Sequence, residues 1–269
     1  MPVTDELQST EPVRERSSVG GKTAVVTGAS SGIGRAIAET FVADGASVVI
    51  CSRTLEDVES VAEELNGSDL PGEALPVECD VTDRDDVDAL AAAAVEEFGG
   101  VDVLVNNAGG TGEGGPLHAI DPEEWDGVVE VNLTGTYNVT RAFADALRED
   151  GGAVVNTASM AGRYGVAGMN PYSAAKAGVD TLTRTLAVEW ADDGVRVNAV
   201  DPGFITSPPV RDQFDLDGHP DREAVDREFG TPHEVAETVR FLASDAASFV
   251  TGQSIAPTGP PHTFTPPGA

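Results

Sequence analysis

The chain has 269 residues, 40% of them hydrophobic, enough to bury one large α/β core. Against 46 Asp plus Glu stand 16 Lys plus Arg, a formal net charge of −30 that is spread along the chain rather than gathered in a tail. So acidic a surface argues against binding nucleic acid or an anionic membrane, since both need basic patches.

Such self-repulsion is screened when the Debye length falls to about 3 Å at 1 M salt, so the composition points to a halophile and a high-salt cytoplasm. Lysine occurs only at positions 22 and 176. No run of 18 apolar residues appears, and the N-terminus is polar, so neither a transmembrane helix nor a secretory signal is expected. Cys51 and Cys79 lie in apolar strand-like runs and read as inert core thiols. They could form a redox pair if their strands are neighbours, although no further feature supports one.

Residues 1–20 carry Ser, Thr, Pro and charges without a hydrophobic period and read as a flexible extension. The folded domain is expected over 21–257, followed by a proline-rich tail at 258–269. Thr23 to Thr27 is a buried strand, and the segment from Arg35 is an amphipathic helix. Between them, Gly28-Ala-Ser-Ser-Gly32-Ile-Gly34 has the form of a diphosphate-binding turn. Its glycines allow the backbone to turn and approach a phosphate, and the helix N-terminus offers free N–H groups.

The next strand, Ser47 to Ser52, ends roughly 20 residues beyond that turn, where dinucleotide-binding folds read the adenine ribose. An acid there would favour NAD. The chain instead has Ser52 and Arg53, with no carboxylate to repel a 2′-phosphate and a guanidinium able to grip one, so NADP(H) is favoured over NAD(H). A helix over 55–65 and a strand over 74–79 follow, closed by Asp80-Val81, a place for an adenine edge to hydrogen-bond.

An alanine-rich helix runs from Asp83 to Phe98, and a strand over 101–105 ends in Asn106-Asn107-Ala108-Gly109. Small residues at a strand's C-terminal end leave room for a cofactor, and asparagines can tie neighbouring strand ends together. Gly110 to Gly115 is too rich in glycine to be regular. From Pro122 a helical pattern continues to Arg148, interrupted only by Asn132. That residue is either a satisfied core amide or the mark of a bend that aims a carbonyl at water.

The apolar strand from Gly151 ends at Ser159, and Asn170-Pro171 opens a helix carrying Tyr172 and Lys176 on one face. An ammonium one turn from a phenol, with a serine hydroxyl nearby, makes tyrosine a usable acid or base. The helix continues to Trp190 and a strand follows Gly194. The stretch 208–230, bounded by Pro and Gly, reads as a mobile lid. One more helix covers 231–242, and a short strand covers 253–256. His118, His219 and His233 lack ligand spacing, so no catalytic metal is expected. The alternation predicts a single-domain α/β Rossmann fold, a doubly wound parallel sheet of about seven strands with helices on both faces.

Taken together, Thr27-Gly28-x3-Gly32-x-Gly34, Asp80, Asn106-Asn107-Ala108-Gly109, Ser159 with Tyr172-x3-Lys176, and Pro202-Gly203 resemble the short-chain dehydrogenase/reductase family over about residues 21–255. The likeness is nearest to its 3-oxoacyl carrier-protein reductases and its glucose or polyol dehydrogenases. It implies a catalytic tetrad of Asn132, Ser159, Tyr172 and Lys176. In that scheme Tyr172 exchanges a proton with the substrate oxygen and Ser159 orients that oxygen. Lys176 holds the nicotinamide ribose and depresses the Tyr172 pKa, and Asn132 fixes a water leading to solvent.

The resemblance further implies cofactor contacts from Gly28, Ser30, Ser31, Gly32, Ile33, Gly34, Ser52, Arg53, Asp80, Val81, Asn107, Ala108, Gly109, Tyr172, Lys176, Pro202, Gly203, Ile205 and Ser207. The expected activity is NAD(P)-dependent hydride transfer on a small secondary alcohol or ketone. Reduction of a 3-oxoacyl carrier protein and a non-catalytic dinucleotide scaffold are the alternatives. A homo-oligomer, tetramer or dimer, through the long helices is implied as well. Two departures stand out: Ala256 to Pro261 replaces the family's usual Val-Asp-Gly-Gly, and Asp201 precedes Pro202-Gly203 where a small neutral residue is usual. The first bears on subunit contacts and the second on the nicotinamide pocket.

Overall fold

The computed structural model describes residues 13–259, except 222, 224 and 225. Most of the expected N-terminal extension and C-terminal tail therefore lies outside the described residues. The elements run in the order α1 (Val13–Arg16), β1 (Thr23–Thr27), α2 (Gly32–Asp44), β2 (Ser47–Ser52), α3 (Leu55–Asn66), β3 (Glu73–Glu78), α4 (Arg84–Phe98) and β4 (Val103–Asn106). There follow α5 (Pro122–Val129), a π turn (Glu130–Thr134), α6 (Gly135–Ala142), α7 (Ala144–Glu149), β5 (Ala153–Thr157), α8 (Met160–Tyr164) and α9 (Asn170–Glu189). β6 (Arg196–Val200), α10 (Pro208–Phe214), α11 (Pro232–Ala243) and β7 (Ser254–Ile255) complete the chain.

All seven strands form one parallel sheet in the order β3-β2-β1-β4-β5-β6-β7. Because the sheet is covered on both faces, its strands are continuous apolar runs, and alternate residues feed two cores. In β1, Ala24 and Val26 point to the layer of α2, α3 and α11, with Phe41, Ile37 and Leu242, whereas Val25 points to the layer with Leu90, Phe143 and Leu147. The chain reverses its direction of travel across the sheet between β1 and β4, so the loops after these strands diverge and leave a crevice at their C-terminal ends.

Three local features depart from the pattern read from the sequence, and one expectation is met. The helix expected over 122–148 is broken by the π turn at Glu130–Thr134 and again at Phe143. The lid segment contains α10, and Phe204, Phe214 and Phe229 pack edge to face around it with ring centroids 5.3 to 6.2 Å apart. Residues 17–20, assigned to the flexible extension, are held instead: Val19 is fully buried and its N–H donates to Asp44 Oδ2 at 2.7 Å. Cys51 and Cys79 do come from neighbouring strands, as free buried thiols.

Candidate active site

Each side chain singled out above follows the C-terminal end of a strand, so the parallel sheet gathers them on one edge. The turn after β1 has the shape of a phosphate cradle. Gly28 has φ 65°, and a Cβ there would sit 2.8 Å from Ala108 Cα. A Cβ on Gly34 would lie 2.2 Å from Gly28 O and 2.4 Å from Asn107 Nδ2, so only glycine lets α2 start so close to the turn. No side chain caps α2 at Ser31, and no acidic residue stands in its first turn. Its N–H groups and positive dipole end are thus free for a diphosphate, flanked by Ser30, Ser31, Gly32 and Ile33. Ser207 reaches over this turn, its Cβ 3.4 Å from where a Gly32 Cβ would be.

Thr27 and Asn107 lock the cradle to β4. Thr27 Oγ1, buried, accepts from the N–H groups of Asn107 and Ala108 at 3.0 Å each, and Asn107 Nδ2 donates to the carbonyls of Thr27 and Gly28 at 3.0 and 3.1 Å. Asn107 therefore serves as a girder between strand ends. Asn106 points the other way, into the core, where its Nδ2 donates to Thr140 Oγ1 and Asn156 Oδ1.

Toward the adenine end, Ser52 Oγ donates to Thr54 O at 2.8 Å, and Arg53 is exposed and enters no ion pair among the described residues. Asp80 Oδ1 accepts from the N–H and Oγ1 of Thr82, and Oδ2 has no such partner among the described residues. Val81 buries its side chain, and its carbonyl accepts from Asn138 Nδ2 at 3.1 Å. Only its N–H remains for a ligand. Ile205 likewise turns its side chain into the core, so it can offer a cofactor only main-chain groups.

The other four residues converge around Gly109. A Cβ there would lie 2.5 Å from Asn132 Oδ1 and 3.2 Å from Lys176 Nζ. Asn132 is fully buried within the π turn; its Nδ2 donates to Gly110 O and Val128 O at 2.8 Å each, and its Oδ1 accepts from Gly110 N at 3.3 Å. The amide occupies the bend, and the bulged turn is what aims it at the glycine loop. Lys176 Nζ donates to Thr157 O at 2.7 Å and stands 5.6 Å from the centroid of the Tyr172 ring. Ser159 N-caps α8 by accepting from Ala161 N–H, and it hydrogen-bonds the Tyr172 phenol.

Burial depresses the Lys176 ammonium from 10.5 to about 8. Tyr172 goes up from its ordinary value, because burial outweighs the Ser159 hydrogen bond that lowers it. That corrects the expected depression: Lys176 spends its hydrogen bond on the Thr157 carbonyl, and burial of the neutral phenol is the larger effect.

On the far side, Pro202 O accepts from Met160 N–H at 3.2 Å, and Gly203 packs against Thr258. Asp201 is fully buried with Arg163 Nη2 3.1 Å from its Oδ2. Sequence reading noted Asp201 but gave no sign of Arg163, whose approach is purely tertiary. Thr27 stood in the motif without a role; its place in the last position of a buried strand was the available signal. Among the described residues no group of three His, Cys, Asp or Glu side chains is arranged for a metal, and no helix is long and apolar enough to cross a membrane.

A family model described as Enoyl-(Acyl carrier protein) reductase matches residues 28–259. The chain is 41% identical over 240 residues to a 3-oxoacyl-[acyl-carrier-protein] reductase of Thermotoga maritima, covering 87% of this chain and 95% of that protein. It is 45% identical over 250 residues to the cis-4-hydroxycyclohexanecarboxylate dehydrogenase of Sinomonas cyclohexanicum, covering 88% and 95%. Among solved structures, levodione reductase superposes with a TM-score of 0.82 at 34% identity, over 89% of this chain and 97% of that one. A single-site variant of actinorhodin polyketide ketoreductase with NADPH superposes with a TM-score of 0.79 at 39% identity, over 88% and 96%.

Proposed function

The chain belongs to the short-chain dehydrogenase/reductase family of oxidoreductases, and from that membership we propose that it reduces a small ketone to a secondary alcohol with NADPH, Tyr172 giving the proton. The observation that carries the reading is the convergence of Ser159, Tyr172, Lys176 and Asn132 beside an uncapped helix N-terminus whose glycines leave room for a dinucleotide. Bound there, the nicotinamide supplies the hydride to the carbonyl carbon.

The chain's own groups do the rest. Ser159 and Tyr172, already hydrogen-bonded to each other, receive the carbonyl oxygen, which fixes its distance and direction. Tyr172 is a neutral phenol at pH 7, the form that donates, so the resting protonation state favours reduction. The O–H bond of Tyr172 breaks as the new hydroxyl forms, and the resulting phenolate gains the Lys176 ammonium as a neighbour at a site too dry to screen it. Asn132, held on both sides by Gly110, keeps the outlet beside Lys176 open for a water that returns the proton.

Arg53, exposed and in no ion pair among the described residues, supports NADPH over NADH, and an NADPH-bound ketoreductase among the structural neighbours agrees with it. The relatives' names keep a carrier-protein thioester as the second reading. Against it, the two arginines best placed to greet an acidic carrier are spent: Arg148 pairs with Asp193 at 2.6 Å and Arg141 with Asp88 at 3.6 Å. The complete set of four side chains likewise weighs against a non-catalytic scaffold. We place the working protein in a high-salt cytoplasm, as a homo-oligomer.

The test is NADPH oxidation in concentrated KCl across cyclic and open-chain ketones, alongside the Tyr172→Phe variant. Loss of about 10²- to 10⁴-fold in turnover with cofactor affinity kept is expected; full turnover by the variant would remove Tyr172 from the chemistry.

A further inference from the structure

Beneath the four residues, a second group of charges is buried that hydride transfer does not itself require. Asp201 is fully enclosed, and neither of its carboxylate oxygens has a hydrogen-bond partner among the described residues. The group it faces is another carboxyl, that of Asp180, which is itself 7% exposed and accepts from Ser254 Oγ at 2.6 Å. Arg163 Nη2 touches both Asp201 and Ser254, and Ser254 Oγ rests on Asp180, so two buried carboxyls are gathered around one guanidinium, and a shared proton relieves the repulsion that two negative charges would suffer in so dry a place. Arg163, reaching in from α8, is the nearest counter-charge: its Nη2 lies 3.1 Å from Asp201 Oδ2 and also donates to Ser254 O at 3.3 Å. Arg184, one turn along α9 from Asp180, is the other cation in range.

What these groups connect gives them a use. Asp180 lies on α9 at four-residue spacing from Lys176 and eight from Tyr172, on the same face. Arg163 belongs to the helix that Ser159 begins, and Asp201 immediately precedes Pro202-Gly203, with its own N–H bonded to Ile255 O at 2.7 Å. We propose that Asp180 and Asp201 share one proton and that this pair, clamped by Arg163, is a positioning device that holds Ser159 and the Pro202-Gly203 turn in register with Tyr172. The inference rests on the hydride-transfer reading above.

With one proton in the pair, one negative charge remains to face Arg163 and the cluster is close to neutral. Burial first, then the Asp180 charge, pushes the Asp201 carboxyl up to about 7, against the pull of Arg163 and Arg184. The clamp therefore holds below neutrality and loosens as pH rises and two carboxylates face each other. Neither residue touches substrate or cofactor; both act through Ser159 and the turn.

The experiment compares pH profiles of kcat and of NADPH affinity for wild type, Asp201→Asn and Asp180→Asn. Wild type is expected to lose about 10-fold in kcat across a limb near pH 7 while its NADPH affinity moves less, the split that misplacement produces. In either Asn variant an amide N–H permanently replaces the shared proton, so the limb disappears. A limb that persists in both variants, or a wild type with no limb near neutrality, overturns the proposal. Infrared spectra of protein labelled with ¹³C-aspartate provide a readout independent of turnover. A protonated-carboxyl carbonyl band should be present in wild type at pH 6, absent at pH 9, and absent from both variants at either pH. If that band behaves as expected but no ketone turns over, the shared proton stands and the hydride-transfer reading falls. If turnover is normal and the band is missing, the shared proton falls alone.

Discussion

Replacing Lys176 by methionine should make the cofactor-free protein more stable at neutral pH while abolishing its activity. The side chain is 3% exposed, and burial lowers its pKa from 10.5 to about 8, a gap worth about 3 kcal/mol. Because the folded state binds fewer protons than the unfolded state between pH 8 and 10.5, wild-type stability rises across that window; below it the full cost of the buried charge is carried. Methionine keeps the apolar stem and removes the charge, at the loss of the 2.7 Å bond to Thr157 O, worth about 1 kcal/mol from the neutral amine. Above pH 10.5, where wild type holds that neutral donor, the variant should therefore be behind by about 1 kcal/mol. At pH 7 wild type also carries the cost of the buried charge, about 3 kcal/mol, so the variant should be ahead by about 2 kcal/mol. Urea unfolding of both proteins in concentrated KCl at a series of pH values reads the difference directly. A variant whose stability difference from wild type stays constant across the series would refute the argument, because Lys176 would then not be carrying a buried charge.

Other perturbations follow from the same geometry. Arg53→Asp should weaken NADPH binding by about 10²-fold by removing a charge-assisted contact and adding a like charge, with NADH changed far less; fluorescence titration of both cofactors decides it. Asn156→Ala strips Asn106 Nδ2 and Thr183 Oγ1 of a partner in a fully buried network, at about 3 kcal/mol, and should lower the thermal midpoint by roughly 6–12 °C while leaving cofactor affinity within a few-fold. Gly34→Ala drives a methyl into Gly28 O and Asn107 Nδ2, so calorimetry should show a loss of about 1–3 kcal/mol together with a cofactor affinity at least ~10-fold weaker.

The order of strands and helices was legible because both cores are fed by short apolar runs, as in Ser47 to Ser52, bounded by glycine and by residues that open helices. The glycine turn and Tyr172 with Lys176 were legible too, since helix geometry alone places residues four apart together. What the sequence hid was set by contacts between distant segments. Asn132 breaks its helix because Gly110, 22 residues away, supplies the groups its amide satisfies. Residues 208–214 looked irregular, yet Pro208 and Pro209 are compatible with a first helical turn, and three phenylalanines from separate segments hold that helix in place. Val19 sits in a polar run without period, yet its side chain joins the core around α2 while Asp44 receives its N–H. The direction of the Tyr172 shift depends on how deeply the phenol is enclosed, which no spacing records.

The π turn at Glu130–Thr134 also limits how this chain can vary in length. Such a turn amounts to one residue more than a regular helix needs, so deleting any one of the five would restore ordinary hydrogen bonding at little cost to helix stability. It would also rotate everything on one side by about 100° relative to the other, since each residue of an α-helix advances that far. Asn132 could then no longer face Gly110 while Asn138 and Thr140 keep their partners on the sheet side. Natural variants should therefore gain and lose residues in the glycine-rich loop ahead of this helix, and keep the helix itself at constant length.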